Sequence, residues 1–192
     1  MEEIGRKHPV HLDVHDRRDR PIIVYLTVCT KRCKPILANA AAHELLRASW
    51  REARSWLVGR YVVMPDHIHL FCAPALNYEG MGAVPSQTLE ATSLGRHKRT
   101  PGPDSQGTSV LCGRPSISLE KWIVFWKSHS ARHWCDKNDA PIWQRHFWDT
   151  QLRKSESYDQ KWQYVLDNPV RAGLVKEASD WPYQGEMTKL RW

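Results

Sequence analysis

Two histidines stand one residue apart in the run Tyr61-Val62-Val63-Met64-Pro65-Asp66-His67-Ile68-His69-Leu70-Phe71-Cys72. In an extended strand, residues i and i+2 share a face and lie roughly 7 Å apart along the chain. His67 and His69 can therefore converge on one divalent cation while Ile68 between them points into a core. A single strand histidine is more often a satisfied side chain than a ligand; the pairing is what favours a metal. A cation held in this way acts as a Lewis acid on a phosphate. The nucleophile must then come from elsewhere in the chain.

A candidate lies in the helical pattern of residues 155–167. At about 100° per residue, Tyr158, Trp162 and Val165 form one stripe, and Tyr164 falls about 120° away from Tyr158. Asn168 one turn later and Lys161 one turn earlier share the flank of Tyr164. A phenol is a poor nucleophile at its ordinary pKa near 10, so it needs partners. Lys161 would offset phosphate charge or assist loss of the phenolic proton. Asn168 would complete the shell of a magnesium or manganese ion with its amide oxygen. Each residue has a plainer reading: Tyr164 as an edge ring, Asn168 before Pro169 as a helix cap, Lys161 as a solvated charge. The combination carries the chemical reading.

These side chains need a scaffold, and the pattern provides one. Residues 22–28 are β-branched and apolar, as in a buried first strand. Residues 39–54 carry a helical stripe behind a candidate N-cap, Asn39. Strands at 56–63 and 67–73 flank the turn-forming Met64-Pro65-Asp66. A second helix is expected after Ser118, with Leu119, Trp122, Ile123 and Trp126 at helical spacing. Residues 141–152 suit an extended segment, and the last helix should stop at Pro169. The order strand-helix-strand-strand-helix-strand is the ferredoxin-like α+β plan, an antiparallel sheet with helices on one face. One domain is expected over residues 21–184. A flexible arm of residues 1–20 precedes it, a mobile Gly/Pro/Ser-rich insertion at about 75–117 interrupts it, and residues 185–192 form a tail.

Composition narrows the function. The formal net charge of +7 favours a polyanionic partner. Ten tryptophans are many for 192 residues, and exposed ones are platforms for unpaired bases. Trp143 and Trp148 are the first candidates for stacking, and Arg145, Arg153, Lys154 and Arg171 for phosphate contacts. The five cysteines form no CxxC pair, which points to free thiols in a reducing compartment. With neither a signal peptide nor a long uncharged apolar stretch, a cytoplasmic or nucleoid-associated protein without membrane partners is expected.

The His67/His69 block resembles the HUH motif of single-tyrosine transposases. Trp143-Gln144-Arg145-His146-Phe147-Trp148, together with Tyr164-Val165-Leu166-Asp167-Asn168-Pro169-Val170-Arg171-Ala172-Gly173-Leu174-Val175, is more specific. It is similar to the signature of the REP-associated tyrosine transposases, and Ser179-Asp180-Trp181-Pro182-Tyr183 is similar to that family's tail. The resemblance spans residues 20–74 and 118–184. It implies that Tyr164 attacks a phosphodiester of single-stranded DNA, giving a 5′-phosphotyrosine and a free 3′-OH. His67, His69 and, by matching position, Asn168 would hold the metal. The DNA would be a palindromic hairpin with a flanking guide sequence, acted on by a monomer or homodimer. Two rivals remain: a non-catalytic hairpin-binding protein domesticated from such an enzyme, and a phosphodiesterase that uses water.

Overall fold

A computed structural model describes residues 22–75, 117–152 and 155–191. The elements are β1 (Val24–Cys29), α1 (Ala40–Glu52), β2 (Trp56–Val63), β3 (His67–Pro74), α2 (Leu119–Arg132), β4 (Trp148–Gln151), α3 (Ser155–Leu166), the single turn α4 (Asn168–Arg171) and β5 (Gln184–Glu186). The five strands form one antiparallel sheet in the order β4-β1-β3-β2-β5. Its first four strands have the ferredoxin-like order, so the expected fold class is the observed one. The expected arm and almost all of the expected insertion lie outside the described residues, as do Arg153 and Lys154.

Local signals in the sequence account for several boundaries. Asn39 caps α1, its side chain accepting from the Ala42 N–H at 2.8 Å. Ser118 caps α2 by accepting from the Lys121 N–H. The β2–β3 turn is pinned from outside: Thr30 N–H donates to the Asp66 carbonyl at 2.8 Å and Leu37 N–H to the Pro65 carbonyl at 2.9 Å.

The sheet separates two cores. On one face Val24, Leu26, Val28, Ile68 and Leu70 meet α1 and α2, with Trp50, Trp56, Trp122 and Trp126 filling the space between. On the other face Tyr25, Val62, Phe71 and Ala73 meet Tyr158 and Val165 of α3, together with Trp181 and Leu190. The placing of helices on one face thus describes α1 and α2 and needs correction for α3. The alternation along β1 and β3 leaves apolar residues on both faces, and the second set needs a cover.

Two further expectations are corrected. Pro169 does not end the helical path. α3 stops at Leu166, and Pro169 sits in the first turn of α4, where its missing N–H costs nothing. Residues 185–192 do not all form a loose tail. Gln184–Glu186 pairs with β2, and Leu190 is buried against Gly59. A Cβ on Gly59 would lie 2.6 Å from Leu190 Cδ1, so a side chain there would force Leu190 to shift.

Candidate active site

His67 and His69 open β3 and project from the α3 face, while Ile68 between them is fully buried against the α1/α2 core. Their Nε2 atoms lie 3.1 Å apart. Each Nδ1 is engaged behind the ring. His67 Nδ1 is 2.7 Å from the Asp66 carboxylate. His69 Nδ1 is 2.7 Å from the Tyr25 hydroxyl and 3.0 Å from Thr27 Oγ1. A partner on Nδ1 fixes the ring orientation and leaves Nε2 to act as a ligand.

Electrostatics favour the same role. Burial first, then the nearby charges of His67, Lys161 and Arg171, hold His69 down to about 3. Its imidazole is therefore neutral at physiological pH, with a lone pair to offer. Two ligands about 2.1 Å from one ion and at roughly right angles to it would stand about 3 Å apart. The histidine pair fits a divalent cation by both spacing and donor chemistry.

α3 brings the phenol to this face. Tyr158 and Val165 are buried, and Phe71 packs against Tyr158 at 4.8 Å and Trp162 at 6.2 Å between ring centroids. The Arg60 guanidinium lies over Tyr158 and Trp162 and pairs with Asp159 at 3.1 Å, fastening α3 to β2. Tyr164, off this stripe as its spacing predicts, is 55% exposed. Lys161 Nζ lies 4.7 Å from the Tyr25 ring centroid and 5.6 Å from that of Tyr164, between the histidine support and the phenol. Arg171 stacks on Tyr164 at 3.9 Å and donates to its carbonyl at 2.7 Å. Both Tyr164 and Arg171 are close enough to act on Tyr25, whose hydroxyl is raised above its ordinary pKa chiefly by burial.

The other expected site residues divide. The Asn168 side-chain oxygen accepts from Arg171, and its Nδ2 is buried without a hydrogen-bond partner among the described residues. Trp143 is corrected from a stacking candidate to a core residue. It is 9% exposed, its ring packs on Trp126, and its indole N–H donates to Ser130 Oγ. Trp148 is exposed, as is Arg145, whose carbonyl accepts from the buried Lys127. Sequence reasoning missed Tyr25, Thr27 and Asp66. The signals were the i, i+2 hydroxyls on the strand beside the histidines and the carboxylate preceding His67.

The sheet and its helices recur in a solved protein. The chain shares the fold of a REP-associated tyrosine transposase determined bound to a REP hairpin, with TM-score 0.53 and 21% identity over 96% of this chain and 82% of that one. In sequence it resembles the REP-associated tyrosine transposases. It is 43% identical over 42 residues to that of Escherichia coli K12, covering 22% of this chain and 26% of the relative. A Haemophilus influenzae relative provisionally assigned to the same transposases is 38% identical over 45 residues, covering 23% and 26%. The chain thus spans about a quarter of the length of these relatives in the matched stretches. No family model matches the chain.

Proposed function

We propose that this protein is a metal-dependent strand transferase acting on single-stranded DNA that carries palindromic hairpins. The observation that carries the reading is the pair of Nε2 atoms 3.1 Å apart, each ring held from behind, on the face that α3 covers with Tyr164 beside it. His67 and His69 would hold magnesium or manganese. The ion would polarise the scissile phosphate and orient it for attack.

Tyr164 supplies the nucleophile. Its oxygen forms a bond to phosphorus as the P–O3′ bond breaks; the phenolic proton passes to solvent, and the leaving 3′ oxygen takes one up. Rejoining reverses the step: a 3′-OH attacks the phosphotyrosine and the phenol leaves. The phosphodiester bond energy is kept in the protein link, so no nucleotide cofactor is needed. Lys161 and Arg171, 5.6 and 3.9 Å from the Tyr164 ring centroid, are placed to neutralise the phosphate that the phenol approaches. Asn168 would serve as a third metal ligand if its oxygen parted from Arg171. A phosphate drawn to the guanidinium offers the exchange, being the stronger partner.

A covalent-trapping assay tests this. Labelled single-stranded DNA with hairpins from around the protein's own gene is incubated with magnesium or manganese and run on a denaturing gel. A labelled band at the summed mass of protein and DNA, lost with EDTA and with Tyr164→Phe, is expected. Cleavage without a linked band would move the reading to hydrolysis by water. Tight binding with neither product would leave a hairpin-binding protein with an idle site.

A further inference from the structure

Trp148 and His69 stand in one row across the sheet. Thr27 on β1 pairs with His69 on β3 and with Trp148 on β4. Paired residues on neighbouring antiparallel strands project from the same face. The Thr27 hydroxyl, 3.0 Å from His69 Nδ1, identifies that face as the one carrying the histidines. Trp148 is therefore two strand spacings, about 10 Å, from His69. The neighbouring row is Phe71, Tyr25 and Thr150. α3 covers its first two members, with Tyr158 and Trp162 on Phe71 and Lys161 over Tyr25. The row of His69, Thr27 and Trp148 thus runs beside α3 and ends on an indole that is 39% exposed. Among the described residues Trp148 is the one exposed tryptophan; Trp134, Trp143 and Trp181 are all buried.

We infer that Trp148 is the stacking platform for one unpaired nucleobase, held next to, or next but one from, the phosphate at the histidine pair. The inference rests on the strand-transfer reading and deepens it. It gives the single strand a path across the strands, from β3 over β1 to the β4 edge. A nucleotide suits this row because its two halves meet different chemistry there. The base covers an apolar ring at the sheet edge, while its phosphates lie toward Lys161 and Arg171. Thr27 and Thr150 leave the floor between them polar and small. Stacking of this kind tolerates any base, so Trp148 contributes affinity and placement in preference to sequence choice.

Anisotropy with labelled oligo(dT), in EDTA so that no cleavage intervenes, tests it on the full chain. Trp148→Ala is expected to weaken binding by about 5- to 150-fold. Trp148→Phe, which keeps a ring, should retain most of the affinity. On a strand of equal length made only of abasic nucleotides, the wild type and Trp148→Ala should bind alike. Equal binding of oligo(dT) by wild type and Trp148→Ala would overturn the platform while leaving strand transfer standing. Equal weakening on oligo(dT) and the abasic strand would also overturn it, by assigning Trp148 a structural role. Failure of the wild type to bind either oligo(dT) or a hairpin oligonucleotide would remove the strand-transfer reading and the platform together.

Discussion

Replacing Tyr25 by phenylalanine isolates one hydrogen bond behind the histidine pair. The ring survives, and with it the contact to Phe71 at 5.2 Å and the position under Lys161 at 4.7 Å. What is lost is the hydroxyl 2.7 Å from His69 Nδ1. Thr27 Oγ1, at 3.0 Å, remains as a second acceptor for the same N–H. Removing one of two partners should cost about 1 kcal/mol, roughly a fivefold loss of metal affinity. The double change Tyr25→Phe/Thr27→Val strips Nδ1 of both, and about 100-fold is expected, the upper range for support of this kind. Manganese titration followed by electron paramagnetic resonance, or by calorimetry, reads both. The two losses should exceed the sum of the single changes, because either hydroxyl alone can hold the ring. If the double variant binds manganese as the wild type does, the orientation of His69 does not depend on these hydroxyls and the account of the site is wrong. Loss of binding in His69→Ala serves as the reference for complete removal of a ligand.

Other expectations follow from the same coordinates. Arg60→Ala removes two ring contacts and an ion pair that fasten α3. Faster amide exchange in α3 with unchanged protection in β1 and β3 is expected, and about 1–2 kcal/mol of lost stability; uniform loosening of the whole sheet would contradict it. Lys127, pushed down to about 8 chiefly by burial, is charged at a cost in the folded state below that pH. The unfolded chain binds the extra proton between about pH 8 and 10.5, so this residue makes stability rise with pH across that window, by about 3 kcal/mol at most. The rise should be missing from the difference between wild type and Lys127→Met, measured by urea unfolding at each pH, only if Lys127 is not the source. Gly59→Ala should destabilise by about 1–3 kcal/mol through the clash with Leu190. Adding Leu190→Ala should recover part of that loss, and a strictly additive double variant would place the strain elsewhere. Manganese should bind more tightly than magnesium, since two imidazoles suit the softer ion; the reverse order in calorimetry would argue against a two-histidine shell.

The parts of the fold that could be read in the sequence are those whose cause is local. The apolar run of residues 22–28, the Asn39 cap and the Met64-Pro65-Asp66 turn each specify their own conformation, and the structure has all three. The i, i+2 spacing of His67 and His69 fixed their common face before any partner was known. The stripe of Tyr158, Trp162 and Val165 likewise set Tyr164 apart. What was hidden depends on distant partners. Gln184-Gly185-Glu186 is short and polar, and becomes a strand because Arg60, Tyr61 and Val62 offer an open edge. Trp143 and Trp148 look alike in an aromatic segment. Only the pairing with β1 and the contact with α2 decide that one is buried and the other exposed. The face chosen by α3 is likewise a property of the whole sheet.

The two cores have unequal weight, and this separates durability from chemistry. The larger core, with its six tryptophans, does not include α3. Segments of a protein open with free energies set by their own contacts, not by the global value. The tyrosine helix can therefore loosen at a lower free energy than the larger core, which it does not enter. Substitutions on the α3 face can change that surface while the molecule's persistence is secured on the other side of the sheet. Such a division lets one durable frame outlast many versions of the helical layer that it carries.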